Sequence, residues 1–216
     1  MAKPWDDLPL VEDRQTLETY GVPDPAVRDK VLDRLDGVHV AFIGASPLVI
    51  VSTSTSDGRC DSSPKGDPPG FVKVLDPTTL VVPERGGNNR MDGFHNILEN
   101  PYAGLLFVIP GRPDTLRVNG EVRIVTNGDF FDDLEIRGHR PPLALMMRVE
   151  EVFFHCPKAF MRSKTWKPQT WDPDAVPSYA ELAKLLWRRG DDPTEVDAYY
   201  SAEHYEKLLY SGGTRA

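Results

Sequence analysis

The chain has 216 residues, a formal charge of −8, and a composition that is 40% hydrophobic and 27% charged. This supplies a buried core and excludes wholesale disorder, while the acidic balance argues against broad nucleic-acid binding and leaves room for a small basic pocket. No stretch approaches the roughly 18 consecutive apolar residues of a membrane span. No apolar run follows Lys3 as a secretory leader would require, and Cys60 and Cys156 belong to no CxxC pattern. The expectation is a cytoplasmic, single-domain protein with free thiols and no metal, membrane or nucleic-acid partner.

Residues 1–46 read as a polar, helical extension. Asp13 to Tyr20 suits a short helix, and Asp24-Pro25 opens a second, with Asp as N-cap and Pro at the first helical position. Val27, Val31 and Leu35 then recur at fourfold spacing, predicting one apolar stripe. Val38 to Ile43 is apolar and fits helix or strand. Leu48 to Ser54 is β-branched and bounded by Pro47 and Asp57-Gly58, predicting a strand and turn, with Arg59 to Ser63 as the returning partner. Phe71 to Leu75 and Thr79 to Val82 predict a second strand pair around Asp76-Pro77. Met91, Phe94, Ile97 and Leu98 recur at helical spacing until Pro101. Ala103 to Ile109 reads as a buried strand. In Thr115 to Val125, Leu116, Val118, Val122 and Ile124 alternate with Arg117, Asn119, Glu121 and Arg123, the period-two pattern of a half-buried strand. Leu145 to Phe154 predicts one more. Pro168 to Pro177 is a Trp- and Pro-rich loop, and from Ser178 the tail reads as amphipathic packing helices carrying Leu182, Leu185, Leu186, Val196, Tyr199, Tyr200 and Tyr205. Many short strands with few helices predict an antiparallel barrel or sandwich.

The segment Pro83-Glu-Arg-Gly-Gly-Asn-Asn-Arg-Met-Asp92 carries the most chemistry. It follows a strand and opens a helix. Gly86-Gly87 allows a tight turn and close approach to a ligand, and Asn88 or Asn89 suits an N-cap. Unpaired N–H groups at a helix start favour an anion, and Arg85 and Arg90 flank that start as phosphate-binding guanidinium groups. The same residues would also suit a solvent-facing turn. Ser62-Ser63-Pro64-Lys65-Gly66 packs hydroxyls beside an ammonium. Thr115, Arg117 and Asn119 share the polar face of one strand, and Arg162, Ser163, Lys164 and Trp166 are suited to an anionic aromatic ligand. His95 and His155 are candidate proton donors with no visible carboxylate partner. No Walker, GxGxxG or GxSxG pattern occurs, and the histidines lack metal-ligand spacing.

Together, SSPKGDPPGFVKVLD, LVVPERGGNNRMDGFHNILENP and LLFVIPGRPDTLRVNGEV resemble the flavin-binding split-barrel proteins related to pyridoxamine 5′-phosphate oxidase, over residues 40–166. The resemblance implies a six-stranded antiparallel split barrel over 47–166, helical extensions over 1–46 and 167–216, and a homodimer with one FMN at each subunit interface. It implies phosphate and ring-edge contacts from Ser63, Lys65, Arg85 and Arg90, and amide hydrogen bonds from Asn88 and Asn89. Arg117 and Asn119 would face cofactor or substrate, and Arg162, Ser163 and Trp166 would reach across the interface. The implied activity is an FMN-dependent oxidoreductase acting on a small molecule. A deazaflavin-dependent reductase and a non-catalytic flavin- or haem-binding protein are the alternatives. The C-terminal Arg-x-His substrate signature of the pyridoxamine phosphate oxidases is missing, so pyridoxamine 5′-phosphate is not the expected substrate.

Overall fold

A computed structural model describes residues 8–210. The outermost parts of both predicted extensions, 1–7 and 211–216, lie outside the described residues. Seven strands form one antiparallel sheet: β1 (Leu48–Ser54), β2 (Cys60–Gly66), β3 (Lys73–Asp76), β4 (Thr79–Pro83), β5 (Tyr102–Val108), β6 (Thr115–Val125) and β7 (Ala144–His155). Their order is β2-β1-β5-β6-β7-β4-β3. The sheet curls without closing, a split-barrel-like fold with seven strands where six were expected.

Alternation builds the core. Val49 and Val51 of β1, Leu105 and Phe107 of β5, Leu116 and Val118 of β6, and Met147 and Val152 of β7 all point inward and are buried. The β6–β7 ladder breaks between Asn119 and Gly120, which pair with Glu151 and Val149, so Glu150 is the extra residue of a bulge. Gly120 is obligatory there: a Cβ would sit 1.9 Å from the Arg148 carbonyl oxygen. The bulge adds the twist that the curled sheet needs.

β2 runs further than Arg59–Ser63, straight through Pro64, which is opposite Ile50. It can do so because β2 is an edge strand, where a missing N–H need not break a ladder. Asp61, Ser63, Lys65 and Asp67 face partly inward, and the residues between them face water.

Helix α1 (Arg14–Glu18), shorter than the Asp13–Tyr20 reading, is capped by Asp13, and helix α2 (Pro25–Arg28) is capped by Asp24 as expected. The stripe over Val27, Val31 and Leu35 does not form. Helix α2 ends at Arg28, Val27 and Val31 are exposed, and only Leu35 is buried. The extension instead docks through Leu32, whose backbone exchanges hydrogen bonds with Val152 beside the bulge. Val38–Ile43 resolves as helix α3 (Gly37–Ala45), with Asp36 and His39 forming a capping box and Phe42 and Ile43 buried.

Helix α4 (Asp92–Glu99) buries Phe94, Asn96 and Ile97 against the barrel mouth. Asn96 donates to Thr53 (3.0 Å) and Asn100 to Ser54 (3.0 Å), fixing the helix on β1. After β7 come α5 (Lys158–Ser163), α6 (Tyr179–Leu186), α7 (Pro193–Tyr199) and α8 (Ala202–Leu208). Of the residues expected to pack, Val196 is buried and Leu182, Tyr199 and Tyr200 are half-buried, whereas Leu185, Leu186 and Tyr205 are exposed. Tyr179, Trp187, Tyr199 and Tyr200 pack mainly on one another instead.

Candidate functional site

A cavity of about 300 Å³ opens where the inward face of β2 meets the start of α4. Ser63 and Lys65 line one wall, and Asn88, Asn89 and Arg90 line the other. Val51, Phe94, Ile97 and Leu145 form an apolar floor. The bend between β4 and α4 is unusual: Asn89 (φ 56°) and Met91 (φ 59°) both lie in the left-handed region. For a methionine this conformation is costly, and such residues gather where a backbone must meet a ligand. Helix α4 starts at Asp92, with Met91 at the N-cap position and no side-chain cap. Asn88 and Asn89 are therefore not caps. The Asn88 side-chain oxygen accepts from the Arg90 backbone N–H at 3.1 Å and holds the bend. Gly93 lets the helix start press close: a Cβ there would lie 3.2 Å from Asp61 Oδ2.

Every cation of the predicted cradle has a carboxylate partner. Lys65 pairs with Glu84, and its Nζ sits 5.5 Å from the centre of the Phe94 ring. Arg90 Nε donates to Asp92 at 2.6 Å in an exposed pair. Arg85 does not line this cavity; it turns to the back of the bend. There its Nε meets Asp67 Oδ2 at 2.5 Å, and its terminal nitrogens donate to the carbonyls of Leu134 (2.8 Å) and His139 (3.4 Å). With all three guanidinium nitrogens hydrogen-bonded and only 15% exposed, Arg85 is turned to the back of the bend and away from the cavity where a phosphate contact was expected.

The two pairs share a layout. Glu84 and Arg85 follow β4, while Lys65 is the penultimate residue of β2 and Asp67 lies just beyond it. No ladder joins β2 to β4. Lys65–Glu84 and Asp67–Arg85 thus cross the split side by side with opposite polarity. Behind them lies a trough of about 410 Å³, lined by Asp67, Phe71, Arg85, Leu209 and Tyr210 among others. Tyr210 donates its hydroxyl to Asp67 Oδ1 at 2.8 Å and stacks on His139. That hydrogen bond, followed by burial and the Asp67 charge, holds the Tyr210 phenol above its ordinary pKa. Asp61, Glu84, Asp67 and Tyr210 were not singled out from sequence; the inward alternation of β2 could have pointed to Asp61.

The other predicted residues lie elsewhere in the single chain. Arg117 is exposed and stacks over Phe153 (5.4 Å). Asn119 donates to Glu151 (2.9 Å) on the sheet's outer face. Thr115, expected to share their polar face, is buried. Arg162 and Ser163 are exposed on α5; Ser163 bonds locally to the Phe160 carbonyl and Thr165. Trp166 stacks on Phe160 and donates to the Arg112 carbonyl at 2.6 Å. His95 faces solvent on α4. Burial, then the Arg117 and Lys30 charges, push His155 below the usual imidazole range, and its buried Nε2 has no hydrogen-bond partner among the described residues. Neither histidine lines the cavity. Among the described residues no cluster of His, Cys, Asp and Glu could hold a metal, and no helix is long and apolar enough to cross a membrane.

Fold and cavity define a split-barrel-like protein whose candidate site lies between an edge strand and the helix after β4. The family model described as pyridoxamine 5′-phosphate oxidase matches residues 35–156. The chain belongs to that family. Among solved structures, HupZ of Group A Streptococcus is 20% identical, covering 56% of this chain and 93% of its own, with a TM-score of 0.45. An FMN-binding protein of Syntrophomonas wolfei is 11% identical, with 54% and 82% coverage and a TM-score of 0.41. A pyridoxamine 5′-phosphate oxidase-related, FMN-binding protein of Nostoc punctiforme is 14% identical, with 50% and 73% coverage and a TM-score of 0.36. No curated protein matches.

Proposed function

We propose that the chain is an FMN-dependent oxidoreductase acting on a small molecule, as a homodimer with the cofactor at the subunit interface. The observation that carries this reading is the convergence of Ser63, Lys65, Asn88, Asn89 and Arg90 on one cavity, in a chain of this family. The residues suit the group. Lys65 and Arg90 would neutralise its phosphate, and the bend at Asn88–Met91 brings backbone close to the ligand. Val51, Phe94, Ile97 and Leu145 exclude water from one side of a ring system. Bound FMN supplies the redox chemistry, and the protein contributes binding, orientation and electrostatics. No side chain in the cavity is assigned as a proton donor. Arg117, Arg162 and Ser163, exposed in the single chain, are available to a second copy, as the dimer reading requires.

The test is direct. Purified protein should be yellow, release a molecule of FMN mass on denaturation, bleach on reduction, and sediment as a dimer. Colourless protein that takes up no added FMN overturns the reading. A released deazaflavin would replace the cofactor and keep the cavity. Bleaching without turnover across a reductant and acceptor screen would make the protein a flavin carrier.

A further inference from the structure

Resting on the FMN reading, we propose that Glu84 is a built-in competitor for the ligand's phosphate and sets how tightly the site holds it. Lys65 is the least exposed cation of the cavity, 17% exposed, and its partner Glu84 is equally shielded at 16%. Both line the cavity, so a phosphate that reaches Lys65 must displace the Glu84 carboxylate or share the ammonium with it. Sharing places like charges together where solvent screens them poorly, and displacement leaves Glu84 without its ion pair. Either way Glu84 opposes the phosphate.

The neighbouring pairs do not act this way. Arg90–Asp92 is 70% and 44% exposed, so water and salt weaken it. Asp67 is engaged by Arg85 and Tyr210 behind the bend. Among these ion-paired carboxylates, Glu84 is therefore the one whose removal should be felt most by a phosphate and least by the rest of a ligand.

The experiment measures FMN and riboflavin binding to apoprotein by quenching of flavin fluorescence, in wild type, Glu84→Gln, Glu84→Ala and Asp92→Asn. Riboflavin carries the same ring without the phosphate. Removing the Glu84 charge should tighten FMN about tenfold, ~1.4 kcal/mol, and leave riboflavin within about twofold. Asp92→Asn should tighten FMN by less than about threefold, as expected for an exposed pair. Thermal melting checks folding, and Glu84→Ala decides the matter if Glu84→Gln does not fold. Unchanged or weaker FMN binding, or equal tightening of riboflavin, overturns the role of Glu84 while leaving the cofactor assignment standing. A wild-type protein that binds no FMN overturns both.

Discussion

The two ion pairs that cross the split are close in sequence and opposite in character. At the front, Lys65 and Glu84 line both the cavity and the trough, and among the described residues their side chains meet each other and the Phe94 ring. At the back, Arg85 and Asp67 are held by two backbone carbonyls and a tyrosine hydroxyl. A charge pair whose guanidinium is hydrogen-bonded through all three nitrogens is committed to the fold. A pair with capacity to spare can change partners. The difference separates a structural clasp from a binding surface within consecutive residues, Glu84 and Arg85, of one bend.

The largest expected effect is at the back. Arg85→Ala leaves Asp67, 2% exposed, without its cation, and should cost about 3 kcal/mol of stability in urea unfolding. A loss below about 1 kcal/mol would erase the distinction between the pairs. Lys65→Met should instead weaken FMN binding by about 2 kcal/mol in a fluorescence titration, with a stability loss less than half that of Arg85→Ala. Arg90→Ala should weaken FMN binding by about 1–3 kcal/mol and change stability by less than about 0.5 kcal/mol, since its pair is exposed. Tyr210→Phe is the smallest, about 1.5 kcal/mol for one hydrogen bond to a charged acceptor. It also has a pH signature. A phenol held above its ordinary pKa contributes stability below pH ~10, and loses it as pH rises through the raised value. The wild type should therefore lose its advantage over Tyr210→Phe in alkaline solution; a constant difference would show that the hydroxyl bond is not the source.

Much of the sheet was legible because period-two patterning is a local property. Thr115–Val125 emerges with its predicted bounds, and Leu48–Ser54 likewise. The N-terminal stripe failed because spacing alone cannot say whether a helix continues; Leu32 and Leu35 are fixed by β7 and by the Pro77 carbonyl instead. The strand pair over Phe71–Leu75 and Thr79–Val82 was legible too, and it emerges as Lys73–Asp76 laddered on β4 at the far edge; only the resemblance implied six strands. Within the site, Lys65 and the bend were readable as residue types. The direction of Arg85 was not, because its partners come from Leu134, His139 and Asp67, distant in sequence and gathered only by the curl of the sheet. Tyr210 was invisible for the same reason.

The hydroxyl contact between Tyr210 and Asp67 spans 143 positions. During synthesis the carboxylate and its arginine leave the ribosome long before the tyrosine exists. All seven strands, which end at His155, have also been made by then. A barrel that folds as it is made would hold its clasp unaided while the helices that follow are translated, and the tyrosine would be fastened onto it afterwards.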